Sequence, residues 1–257
     1  LEKDFFLQPI SLLMDAVEVK EILRSKLSAE NIQIIDKQLI QNNPSQSLTE
    51  LLIPIAGLDI QQSYNYSRNT NVSIRGSSDY KPGGYNNRVL IMLDGFPVNI
   101  PNSGGADWNA LPINNLERIE VSKGPGSALY GHNAIGGIIN LVTQSKGLKK
   151  LNSYIEYGSY NHQAHGVQTN FKTNKSRYII TFDAKKGDGH RDNSSYELYK
   201  LFSKFALNQS KKYNFFITNT LSYSHNGHPG FLRLDNKGIS YRQSKRYATY
   251  NQIHFIH

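Results

Sequence analysis

The stretch Leu116-Glu117-Arg118-Ile119-Glu120-Val121-Ser122-Lys123-Gly124-Pro125-Gly126-Ser127-Ala128-Leu129-Tyr130-Gly131 decides how this chain is read. It continues as His132-Asn133-Ala134-Ile135-Gly136-Gly137-Ile138-Ile139-Asn140-Leu141-Val142-Thr143. Arg118-Ile119-Glu120-Val121 and Ile138-Ile139-Asn140-Leu141-Val142 read as two strands separated by glycine turns. Gly124, Gly126, Gly131, Gly136 and Gly137 are expected to supply positive φ or close backbone approach. A phosphate-cradling loop is the competing reading. The segment has no Gly-Lys-Ser/Thr ending and no strand–loop–long helix unit around it, which argues against nucleotide binding.

Upstream, Val89-Leu90-Ile91-Met92-Leu93 is continuously apolar, as a strand buried on both faces would be, and Asp94-Gly95 follows as a tight turn. Ser47-Leu48-Thr49-Glu50 reads as a capping box opening a short helix with Leu48, Leu51 and Leu52 on its apolar face. Pro54 stops that helix, and Gly57 releases the chain into a strand over residues 58–61. Asp36 is placed to cap another short helix. Strands and short helices intermixed in this way predict a small α+β domain with its own core.

Composition changes near Gly147, and the rest of the chain keeps period two. Tyr178, Ile180, Phe182 and Ala184 fall on one face, with Thr181, Asp183 and Lys185 on the other. Residues 199–208 and 213–223 repeat the pattern, each run with an aromatic at or near an end. The connections at 174–176 and 209–212 are short. Those at 187–195 and from His225 onward are longer and polar. A transmembrane barrel with short turns on one side and long loops on the other fits this, and so does a soluble antiparallel sandwich.

The chain has 257 residues and no run of 18 apolar residues, which excludes membrane-spanning helices but not strands. It has no cysteine, so disulfides, zinc–thiolate sites and cysteine nucleophiles are excluded. The formal net charge is +9, with basic residues scattered and no nucleic-acid motif among them. Asp79, Asp94 and Asp107 have no partner at a spacing that implies acid–base catalysis. His162 with His165, and His225 with His228, are three apart in strand or loop context without a third ligand. No enzyme, metal site or cofactor is expected. The N-terminal residues do not read as a signal peptide.

In order and spacing, Asn71-Val72-Ser73-Ile74-Arg75-Gly76, the run from Val89 through Asp94-Gly95-Phe96-Pro97-Val98 and the stretch from Leu116 to Thr143 resemble the plug domain of TonB-dependent outer-membrane receptors. The resemblance covers roughly residues 30 to 145, and Asp188-Gly189-His190-Arg191-Asp192-Asn193 is similar to the family's first long barrel loop. It implies an α+β plug followed by antiparallel strands of an incomplete transmembrane β-barrel. The expected division is an N-terminal extension over 1–29, a plug over 30–146 and the first barrel strands over 147–257. Plugged transporters have about 22 strands, and about five to seven are expected here, so this stretch alone should neither insert nor transport.

The same resemblance implies an outer-membrane receptor of a Gram-negative bacterium, energised by the TonB–ExbB–ExbD complex and importing a scarce, large nutrient. A ferric siderophore is the first expectation, and cobalamin, haem or another metal chelate the alternative. The ligand would meet Arg75, the loop carrying Asp79, Tyr80, Lys81, Tyr85 and Asn86, and the loop carrying Asn99, Asn102, Asp107 and Trp108. Arg118 and Glu120, two apart on one strand face, would join a charged plug–barrel network. The nearest match to the TonB-contacting box is Asp15-Ala16-Val17-Glu18-Val19, which lacks the family's threonine. A soluble β-rich envelope binding protein is the rival from another class, and a basic nucleic-acid binder a second.

Overall fold

The computed structural model describes residues 32–42, 47–62, 70–78, 88–100, 104–131, 133–144, 151–208, 214–228 and 242–256. Asp36 ends β1 (Ile32–Asp36) and caps α1 (Lys37–Asn42), its Oδ1 accepting the Leu39 N–H at 2.9 Å. Ser47 caps α2 (Leu48–Leu52) in the same way, accepting the Glu50 N–H at 3.4 Å. Leu48, Leu51 and Leu52 enter the core, and Gly57 at φ 78° turns the chain into β2 (Leu58–Gln62).

β2, β3 (Thr70–Ile74) and β4 (Ser77–Ser78) form a small antiparallel sheet. The larger sheet adds β5 (Val89–Leu93), β6 (Phe96–Pro97), β7 (Leu116–Ser122) and β8 (Gly137–Thr143) in the order β1-β7-β8-β5-β6. β5 and β8 run parallel at its centre. The continuous apolar run of β5 has a direct cause. Val89, Ile91 and Leu93 face the main core, while Leu90 and Met92 face a second cluster with Ala134 and Ile138. Two-residue turns join β3 to β4 and β5 to β6. Arg75 and Gly76 take φ 51° and 75°, and Asp94 and Gly95 take φ 49° and 86°, as such hairpins require.

A one-turn helix, α3 (Ser127–Tyr130), lies between β7 and β8. Gly131 ends it at φ 75°. Gly126 and Gly136 serve close approach instead: a Cβ would stand 2.5 Å from Ile138 Cδ1 and 2.7 Å from Ser77 Oγ respectively. Gly124 has neither a positive φ nor a neighbour within 4 Å of a Cβ, so that part of the expectation fails.

The second half is a six-stranded antiparallel meander: β9 (Leu151–Gly158), β10 (His162–Lys172), β11 (Ser176–Gly187), β12 (Tyr196–Asn208), β13 (Asn214–His228) and β14 (Arg242–Ile256). β13 runs past His225, where a loop was expected, because its ladder to β14 continues through Gly227↔Gln243. The connection at 173–175 falls at the end of the sheet where β9 begins, and those at 159–161 and 188–195 at the other.

Burial separates the barrel from the sandwich. Phe182 is 46% exposed while Asp183 is 5% exposed, and Leu221 is 45% exposed while Thr220 is fully buried. A soluble sandwich buries its apolar face. This sheet presents its apolar face outward and covers its polar face with the α+β domain, as an outer-membrane barrel wall around a plug does. Tyr199, Tyr223 and Tyr247 make a row across β12–β14 on the outer face, with ring centroids 6.1 and 5.0 Å apart. Tyr178 and Phe205 make a second aromatic contact at 4.7 Å, nearer the opposite strand ends. The sheet is open, with β9 and β14 as its outer strands.

Candidate functional site: the plug–barrel interface

The two 3₁₀ turns Trp108–Ala110 and Ile113–Asn115 bring the plug against the wall. Asn114 donates its side-chain amide to Asp183 Oδ1 at 2.7 Å and to the Tyr154 hydroxyl at 3.2 Å. Tyr154 in turn donates to the same carboxylate oxygen at 3.0 Å. Gly166 permits this. It lies opposite both Tyr154 and Asp183, and a Cβ there would stand 2.0 Å from the Tyr154 ring. Asn115 donates to Thr181 Oγ1 at 2.7 Å, and its carbonyl accepts the Gln144 N–H at 2.7 Å. Lys200, opposite Asp183 in the β11–β12 ladder, donates to the Leu111 carbonyl.

Ion pairs also cross the seam. Arg246 Nε lies 3.0 Å from Asp107 Oδ2, and Lys204 Nζ lies 3.2 Å from Asp94 Oδ2 with both side chains buried. Beside these contacts runs a cleft between plug and wall, lined by Thr49, Thr70, Trp108, Asn109, Lys185 and Lys200 among others. Hydroxyls, amides, an indole, two ammonium groups and the Asp183 carboxylate converge there.

Three of the residues expected to meet a ligand make structural contacts. Asn99 spends its side chain on the β5–β6 connection, accepting the Ile91 N–H at 2.8 Å and donating to the Val89 and Gly104 carbonyls at 3.1 and 2.6 Å. Asp107 is buried in its pair with Arg246, and Trp108 packs into the main core. Arg75 is exposed in its turn. Asp79, Tyr80, Lys81, Tyr85, Asn86 and Asn102, together with Asp15, Val17 and Val19, lie outside the described residues.

Arg118 and Glu120 do pair, at 2.6 Å, but within the plug sheet, where Glu120 also accepts from Asn140 at 3.0 Å. Asp94 and Asp107 are plug charges that pair with β12 and β14. They face the wall from a turn and from a 3₁₀ entry, whereas Glu120 lies between β1 and β8 with its neighbours in the sheet. Burial pushes the Tyr130 phenol up, and Glu120 nearby adds to the shift. The histidine pairs diverge, as i,i+3 residues on a strand must. His162 contacts the Tyr196 hydroxyl at 2.5 Å while His165 meets the Tyr157 ring. His225 contacts Gln243, and His228 contacts Ser244.

Residues 25–138 match the family described as TonB-dependent Receptor Plug Domain. The vitamin B12 transporter BtuB of Vibrio vulnificus is 38% identical over 112 residues, which are 44% of this chain and 17% of that protein. BtuB of Vibrio cholerae is 31% identical over 116 residues, 45% of this chain and 18% of that protein. The chain thus matches less than a fifth of these relatives' length. Among solved structures, the ferric yersiniabactin uptake receptor FyuA of Yersinia pestis aligns with a TM-score of 0.62 at 21% identity, over 76% of this chain and 32% of that one. The unliganded ferric citrate transporter FecA aligns with 0.63 at 18% identity, over 79% and 32%. The plug sheet, the inside-out burial of the strands beside it and these likenesses agree: residues 25–138 match a TonB-dependent receptor plug domain, and the chain has the fold of such a plug followed by an open run of barrel strands.

Proposed function

We propose that this chain belongs to an outer-membrane receptor that binds a ferric siderophore and imports it into the periplasm, with the TonB–ExbB–ExbD complex supplying the work. The observation that carries the reading is the polar wall face buried against a plug, since a porin-like channel would leave that lumen open. A plugged lumen suits a solute too large and too scarce for passive diffusion. No bond in the solute is made or broken. The structural likeness to FyuA, a ferric yersiniabactin uptake receptor, and FecA, a ferric citrate transporter, favours an iron chelate. Cobalamin is the second reading, favoured by the 38% identity of the plug to a vitamin B12 transporter.

Arg75 and the residues Asp79, Tyr80, Lys81, Tyr85, Asn86 and Asn102 are the ligand contacts of this reading. An arginine and a lysine suit an anionic chelate, and tyrosines suit a planar one. Asp15, Val17 and Val19 would contact TonB. The test offers labelled ferric siderophores, cobalamin and haem to cells carrying the full-length gene, with and without a working TonB system. Uptake of one chelate that vanishes without TonB is expected. Uptake indifferent to TonB sinks the proposal. Replacing Arg75 and Tyr85 together should weaken binding, and unchanged affinity removes that site.

A further inference from the structure

The Asp94-Gly95 turn between β5 and β6 reaches the barrel wall, and its two flanking side chains meet one connected group of wall residues. Asp94 is saturated on the plug side: Oδ1 accepts the Thr143 N–H at 2.7 Å and Oδ2 accepts the Thr143 hydroxyl at 2.6 Å. From β12, Lys204 Nζ donates to Asp94 Oδ2 at 3.2 Å and to Thr143 Oγ1 at 2.8 Å. The same ammonium lies 4.7 Å from the centroid of Phe216 on β13. Phe216 stacks on His254 of β14 with centroids 3.8 Å apart and planes 19° apart. His254 then meets the edge of Phe96, on the far side of the turn, at 4.3 Å and 73°. The path Asp94–Lys204–Phe216–His254–Phe96 therefore leaves the plug at one corner of the turn and returns at the other. Asn140 closes the base by accepting the Gly95 N–H at 3.0 Å.

We propose that Lys204, Phe216 and His254 form a clasp that holds the β5–β6 turn on the wall and keeps the resting receptor sealed, so that transport must release it. The proposal rests on the plugged-receptor reading. Its physical basis is bistability. Closed, the clasp satisfies a buried carboxylate and a buried ammonium in one network. Opened without water, it would leave both charges unpaired, so intermediate positions are unfavourable. The contacts join the centre of the plug sheet, through β5 and β8, to three successive wall strands. Moving this turn therefore displaces the strands that the rest of the plug is built on.

The test uses the full-length receptor with Lys204→Met, His254→Leu and the charge-keeping Lys204→Arg. Amide hydrogen exchange of β5 and β6 is followed in lipid nanodiscs, and leak of a small hydrophilic dye is followed in cells lacking TonB. Neither readout requires a transported ligand, so a wrong substrate class leaves the result interpretable. Lys204→Met should speed exchange over residues 89–97 by roughly tenfold or more, with exchange in α2 unchanged, and should admit dye. His254→Leu should do so to a smaller degree, and Lys204→Arg should behave as the parent. Wild-type exchange in Lys204→Met overturns the clasp. Faster exchange without leak overturns its sealing role. Faster exchange spread over the whole plug overturns the local device in favour of general destabilisation.

Discussion

Asn114 and Asp183 stand 69 positions apart in the chain and 2.7 Å apart in space, and their hydrogen bond fastens a 3₁₀ turn of the plug to the third wall strand. Asp183 is buried and lies across the ladder from Lys200, so this amide completes the environment of a charge that cannot reach solvent. Asn114→Ala removes two donated bonds, one to a carboxylate. It should cost about 1–3 kcal/mol, read as a lower thermal midpoint of the full-length receptor. Asp183→Ala should cost more, about 3–5 kcal/mol, because it strips Lys200 of its facing carboxylate. Equal midpoints for the two variants would contradict this ranking.

Gly166→Ala tests the fit between Tyr154 and Asp183. The new methyl would lie 2.0 Å from Tyr154 Cε1 and 2.7 Å from Asp183 Oδ1, so the ring must swing away and give up its bond. A loss of about 1–3 kcal/mol is expected in denaturant unfolding. Combining it with Tyr154→Ala should recover part of that loss, and strict additivity of the two changes would reject the clash as its cause.

The outer face is tested by Leu221→Arg. Leu221 lies opposite Leu201, between the tyrosine row and the contact of Tyr178 with Phe205. In lipid vesicles the substitution should cost about 2–4 kcal/mol, the range for a cation near the bilayer midplane. On the surface of a soluble sandwich the cost would be within about 0.5 kcal/mol, so that outcome would point away from a membrane wall.

Asn99→Ala should act on stability and leave recognition alone. It deprives the Ile91 N–H of its acceptor and frees two carbonyls, a loss of about 1–3 kcal/mol. The folded variant should bind its chelate with the parent's affinity. Weaker binding at full stability would return Asn99 to the ligand site.

Elements whose signal is local were legible in the sequence. The Ser47 and Asp36 caps, the Asp94-Gly95 turn and the doubly buried β5 each follow from a few adjacent residues, and each appears as read. The alternation on β11, β12 and β13 was legible too, but period two does not say which face is buried. That required the plug in place. The seam was not legible. Asn114, Asn115, Thr181 and Lys204 are ordinary polar residues whose side-chain partners across the seam lie 40 to 110 positions away. Polar wall residues alternating with an apolar face were the available signal, yet alternation gives no strand-to-plug register. Trp108 and Asp107 were assigned to a ligand loop because aromatic and charged residues there suit binding. A 3₁₀ turn after Asp107 turns both inward.

By itself, then, the sequence determined the elements and the domain type, because helix caps, glycine turns and apolar periodicity act over three to eleven neighbouring residues. Tertiary structure alone decided which charges join plug to wall and which of the expected ligand residues make structural contacts. Those outcomes depend on burial, and burial is set by what a second surface covers.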